Sequence, residues 1–158
     1  MTASCNAFLA ALGLALAGCA TPPPVPTGGS EAEMDISLAN TGAVANPLAM
    51  RDLLSIYRHN HGLPPLTIDP ALQAAALEKA RAMARADKAS GGVNVPGRAV
   101  VSNVAAGYHT VADAFSGWRG GTRQNANMLK PGVKRMGVAS VYAPGSKYGV
   151  FWALVLAD

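Results

Sequence analysis

The chain has 158 residues, of which 50% are hydrophobic and 14% charged, so it can bury a core and is no disordered polyelectrolyte. Lys and Arg number 13 against nine acids, a net charge of +4, and the two cysteines are too few for a disulfide-stapled scaffold. No apolar run reaches the roughly 18 residues of a membrane-spanning helix, and no internal repeat is present.

Residues 8–17 form an apolar run of ten, short for a bilayer but right for the core of a signal peptide. It ends in Leu16-Ala17-Gly18-Cys19, which resembles the lipobox of bacterial lipoproteins. The resemblance implies that residues 1–19 carry the signal and that Cys19 is acylated, as with palmitate, and becomes the first residue of the mature chain. Ala20 in place of Asp resembles an outer-membrane destination. The membrane is then the partner reached through lipidated Cys19, since each buried CH₂ contributes about 0.8 kcal/mol and two or more chains anchor stably. Cys5 leaves with the signal, so no disulfide remains and stability rests on packing.

Residues 20–46 read as a tether. Pro22-Pro23-Pro24 and Pro26 stiffen it, then Gly28-Gly29-Ser30 loosen it ahead of Glu31, Glu33 and Asp35. The expected domain is 47–158. All 13 Lys and Arg fall there against six acids (Asp52, Asp69, Glu78, Asp87, Asp113 and Asp158), a net charge of +7. That balance suits anionic surfaces such as lipid head groups, lipopolysaccharide or wall polymers. Nucleic acid is excluded as a partner, for an exported protein without an aromatic-studded basic motif.

Within the domain, Asn46-Pro47 opens a helix that carries Met50, Leu53, Leu54 and Tyr57 at helical spacing and stops at Gly62. Residues 63–68 form an extended link. Asp69-Pro70 supplies an N-cap and a first-turn proline to a second helix reaching about Ala89, with Leu72, Ala76, Ala80 and Met83 inward. Residues 90–100 form a loop, and a short apolar segment follows at Asn103-Val104-Ala105-Ala106. Thr110 and Asp113 cap a third helix whose stripe is Val111, Ala114, Phe115 and Trp118, stopped by Gly120-Gly121. Arg123, Gln124, Asn125 and Asn127 read as a polar turn before Met128-Leu129 and the break at Pro131-Gly132. Residues 133–142 alternate as a strand, Pro144-Gly145-Ser146-Lys147 turns, and residues 148–157 return as a strand apolar on both faces. Such a strand is covered on both sides, so helices sandwich the sheet.

This order of helix, Gly-Leu-Pro-Pro-Leu link, Asp-Pro helix, Asn-Val-Ala-Ala-Gly, helix ending in Trp, Asn-x-Asn-Met-Leu and Gly-Val strand resembles the bacterial CAP (SCP) domain, the superfamily of cysteine-rich secretory proteins, antigen five and pathogenesis-related proteins. The match spans residues 48–157. It implies an α+β fold, a CAP-type α-β-α sandwich with a mainly antiparallel sheet between helices, secretion, and a cleft near the loop after the second helix. Members of the family often line that cleft with two His and two Glu that can hold a divalent metal. Here the Glu-Asn pair is Ser102-Asn103, the Ser-Pro-x-His string is Gly121-Thr122-Arg123-Gln124, and the Ser-His is Ser90-Gly91. Hydroxyl and amide groups replace imidazole and carboxylate poorly, so neither a metal nor another cofactor is expected.

Other chemistry is thinly signalled. His59 and His61 stand two apart, and on a helix such residues point in different directions. Ser102 with His109 or Asp113 lacks a nucleophile-elbow motif. Ser102, Asn103, Gln124 and Asn125 are candidates for a neutral hydrogen-bonding pocket, against the simpler reading that they satisfy backbone groups. Two functional expectations follow. The first is a non-enzymatic, envelope-tethered binding module for a lipid, a wall fragment or an envelope protein, with no catalytic residues; the alternative is an envelope hydrolase built on Ser102 and His109.

Overall fold

The computed structural model describes residues 37–38 and 44–158. The signal segment, Cys19 and most of the tether lie outside the described residues.

Helix α1 covers Pro47–His59, with the Asn46 side chain accepting from the Leu48 N–H and proline in the first turn. Helix α2, Pro70–Ala86, starts the same way on Asp69, whose carboxylate accepts from the Ala71 and Leu72 N–H groups. It stops short of Ala89 because Asp87 turns left-handed at φ 45° and ends the hydrogen-bond ladder. Helix α3, Val111–Gly120, is capped by Thr110 as the sequence indicates.

Three elements differ from the expectation. The link after α1 contains a two-residue strand, β1, at Thr67–Ile68. The short apolar segment is a full strand, β2, at Val100–Ala106. The polar turn after Gly121 is a helix, α4, at Thr122–Met128. Thr122, Asn125 and Asn127 are poor helix formers; side-chain bonds between α4 and β2 override that.

Strands β3, Arg135–Tyr142, and β4, Val150–Ala157, complete a sheet of order β1-β3-β4-β2. β3 pairs antiparallel with β4 and β4 with β2, while β1 runs parallel to β3. β4 is buried along its whole length, as an apolar central strand must be. On one face α2 lies alone, with Leu72, Ala76, Ala80 and Met83 against Ala139, Phe151, Ala153 and Val155. Gly137 permits this approach, since a Cβ there would meet the Leu72 backbone carbonyl carbon. The opposite face carries α1, α3 and α4 over Met136, Val138, Trp152, Leu154 and Leu156. Trp118 meets Trp152 edge to face at 6.5 Å between ring centroids.

The domain begins earlier than residue 47. Leu38 and Ala45 are both core residues, at 2% and 3% exposure. The Leu38 N–H donates to the His109 carbonyl at 2.8 Å, and the Ala45 N–H donates to Ser140 Oγ at 3.0 Å. The chain thus joins the fold at the end of the sheet where β2 and β3 finish and β4 starts, here called the entry end. At the far end Thr67, Arg135, Ala157 and Val100 stand in register.

Candidate ligand-binding cleft

Ser102 and Asn103 are neighbours in β2, so their side chains leave opposite faces of the sheet. Ser102 faces the α2 side, where its hydroxyl accepts from the Val93 N–H at 3.0 Å and ties down the loop after α2. Asn103 faces the three-helix side at 2% exposure. Its Nδ2 donates to the Gln124 carbonyl at 2.9 Å, and its Oδ1 accepts from Asn127 Nδ2 at 2.9 Å. Asn127 Nδ2 also reaches the Ser102 carbonyl at 3.2 Å. The Tyr57 hydroxyl donates to Asn125 Oδ1 at 2.9 Å. Asn103, Gln124 and Asn125 therefore come together around α4, while Ser102 stands apart from them. Most of the polar groups in this set bind one another and fasten α4 between α1 and β2.

The hydrolase arrangement is not assembled. Ser102 lies four residues before the end of β2, about 13 Å of extended chain; exposed His109 follows beyond that end, and Asp113 is exposed in α3. A nucleophile and its base must approach to about 3 Å.

The residues at the family's ligand positions do not fit a divalent metal. Ser102 offers a hydroxyl, Gln124 an amide, and the loop at Gly91 stands against an ammonium: a Cβ on Gly91 would lie 3.0 Å from Lys79 Nζ. Among the described residues no group of three His, Cys, Asp or Glu side chains could hold a metal ion. His59 and His61 are both exposed. His61 packs its ring edge-on against Tyr57, with Nδ1 2.9 Å from the Tyr57 carbonyl.

A concavity of about 270 Å³ opens at the far end on the three-helix side. Val101, Val133 and Leu156 give it an apolar floor, and exposed Lys130 and Asp158 stand at its rim. Its wall, residues 130–133, is held by Arg58, which is fully buried. That guanidinium donates to the carbonyls of Pro64 at 3.1 Å, Met128 at 2.8 Å, Lys130 at 3.2 Å and Val133 at 2.9 Å. Burial lowers the Arg58 pKa from its ordinary value; four carbonyl dipoles support the charge that burial disfavours. Arg58 was not among the residues singled out above. The signal was present as a cation on the inward Met50-Leu54-Arg58 stripe of α1.

At the same end, on the α2 side, Asp69 accepts from the Leu72 N–H and from Arg98 at 3.0 Å, with Arg135 at 3.7 Å. The Leu72 N–H first, then the Arg98 hydrogen bond, hold its carboxyl below the usual range.

The cysteine-rich secretory protein (CAP) family matches residues 51–156. The chain belongs to this family. Two solved structures share the CAP fold. An extracellular protein of Bacillus anthracis containing an SCP domain superposes with a TM-score of 0.59 at 20% identity, covering 71% of this chain and 40% of the other. An outer surface protein of Borrelia burgdorferi superposes with a TM-score of 0.62 at 11% identity, covering 70% of this chain and 90% of the other. This chain thus spans well under half of the B. anthracis protein. No curated protein matches.

Proposed function

We propose that this CAP domain is a non-enzymatic binding module of the bacterial envelope, held at the outer membrane through acylated Cys19 and the tether that follows it. The observation that carries the reading is the donor set at the family's ligand positions: Ser102, Gln124 and the Ser90-Gly91 loop, with Lys79 beside it, offer hydroxyl, amide and ammonium where a metal centre or a hydrolytic site needs imidazole and carboxylate. Among the described residues the Ser102 hydroxyl accepts from the Val93 N–H and hydrogen-bonds neither His109 nor Asp113. The polar groups around α4 fasten the fold, and the far-end concavity is a candidate surface for binding. Leu16-Ala17-Gly18-Cys19 supports the anchor.

The test is expression of the native chain and of Cys19→Ser in a bacterium fed an alkynyl fatty acid. The native chain is expected in the membrane fraction, labelled at Cys19, and Cys19→Ser in the soluble fraction without label. Label that survives Cys19→Ser would refute the anchor. Esterase or peptidase activity that disappears in Ser102→Ala would refute the non-enzymatic reading.

A further inference from the structure

The two sides of the sheet are finished differently. Outside β3, the Thr67 N–H donates to the Lys134 carbonyl, the Asp69 N–H to the Met136 carbonyl, and the Gln73 amide takes both backbone groups of Val138. Outside β2 no strand follows. The Gly107 N–H donates to the Val150 carbonyl at 3.0 Å, one step past the Ala106–Phe151 pair. Alternate residues of an antiparallel strand exchange bonds with one neighbour, and those between them point the other way. Val101, Asn103 and Ala105 therefore turn their N–H and C=O groups to β4, and Val100, Ser102, Val104 and Ala106 turn theirs outward. The Ser102 carbonyl, which accepts from Asn127 on α4, agrees with this phase.

Beyond Ser102 the β2 edge is open. Among the described residues nothing hydrogen-bonds the N–H or C=O of Val104 or Ala106, and both residues are only half-buried. The features that keep an edge strand from pairing with another chain are charged side chains, proline and bulges. Residues 99–108 carry no charge and no proline, and β2 pairs with β4 one residue to one without a bulge. The open groups also have an order of their own: an N–H and a C=O on each side of Ala105, which is its own mirror position in an antiparallel pairing.

We propose that this edge takes a second copy of the same chain, β2 against β2, about a two-fold axis at Ala105. In that register Val104 of each copy opposes Ala106 of the other, and the N–H and C=O groups left open on the two strands satisfy one another in full. Ser102, whose carbonyl Asn127 already holds, falls opposite Tyr108 of the second copy, past the end of its strand at Ala106. Across the seam Val104 meets Ala106 and Ala105 meets Ala105, small uncharged side chains that two backbones can approach over. The two four-stranded sheets then form one continuous sheet. The pairing stands on the β2 edge alone and does not depend on the binding or anchoring readings above.

The test is disulfide trapping in the full chain carrying Cys5→Ser and Cys19→Ser, which leaves no native cysteine. Ala105→Cys then sets two thiols at a non-hydrogen-bonded pair, where Cα atoms stand about 4.5 Å apart and a disulfide can close. Ala74→Cys, exposed on α2, is the control for random collision. Under mild oxidation Ala105→Cys is expected to give about tenfold more linked dimer than Ala74→Cys, because pairing raises the local thiol concentration. Adding Val104→Pro, which removes an outward N–H, or Ala106→Lys, which puts a charge on the edge, is expected to bring trapping down to the control level. Thermal melts confirm that each variant is folded. Sedimentation equilibrium of the cysteine-free chain reads the same association without Ala105→Cys: its mean mass is expected to rise with concentration, and that of Ala106→Lys to stay at one chain. Equal trapping from Ala105→Cys and Ala74→Cys, trapping that survives both edge variants, or a cysteine-free chain that stays monomeric at every concentration would each overturn the proposal.

Discussion

On one face of the sheet α2 packs through Leu72, Ala76, Ala80 and Met83, and its polar tie to the strands is Gln73, whose amide closes the β3 edge by bonding both the N–H and the carbonyl of Val138. On the other face three helices are fastened by buried and half-buried polar groups: Arg58 on four carbonyls, Asn103 and Asn127 between α4 and β2, and Tyr57 on Asn125. Fit of small residues holds the first face, and hydrogen bonds made in a low dielectric hold the second. The same loop that Arg58 secures walls the concavity, so on the second face stability and the candidate binding surface share residues.

Substitutions that break one face and spare the other sharpen this contrast. The largest effect is expected for Arg58→Met, which leaves the carbonyls of Met128 and Val133 buried without their donor; a loss of about 4 kcal/mol in urea unfolding follows from the cost of orphaned polar groups. Retention of native stability would show that the carbonyls find other donors. Gly137→Ala comes next. Its Cβ would stand against the backbone of Leu72 and Gln73, so α2 must shift, at a cost of about 3 kcal/mol. A neutral result would mean that α2 does not rest on β3 this closely. Asn103→Ala removes a donor to Gln124 and an acceptor for Asn127, and about 2 kcal/mol is expected, with fraying of α4 detected by amide exchange.

The smallest effect is on the acid side. Because the folded-state pKa of Asp69 is depressed, its contribution is complete above the unfolded carboxyl value of about 3.9 and is lost as pH falls through the lower folded value. Asp69→Asn is therefore expected to flatten the fall in urea midpoint between about pH 5 and pH 2 relative to the native chain. Parallel curves would deny that the Leu72 N–H and Arg98 favour the charged form.

The helix caps at Asn46, Asp69 and Thr110 and the buried β4 strand were legible in the sequence because each depends on near neighbours or on a continuous apolar run. The family order of elements was legible too. The helix at residues 122–128 was not, since its support comes from Asn127 reaching β2, a contact no local pattern carries. Nor was the pairing of β1 with β3, which two residues cannot announce. Of the four candidate pocket residues, strand alternation alone separates Ser102 from Asn103; applying it requires knowing that residues 100–106 are a strand. The core positions of Leu38 and Ala45 were hidden because both sit in a stretch whose composition reads as linker.

The central claim, a CAP-fold binding domain whose cleft does not take a metal, is tested most directly by thermal melts of the full chain with Zn²⁺, with Ca²⁺ and with a chelator. A ligand that binds only the folded state must raise Tm. The account predicts the same Tm in all three, and a rise with either ion that the chelator reverses would contradict it.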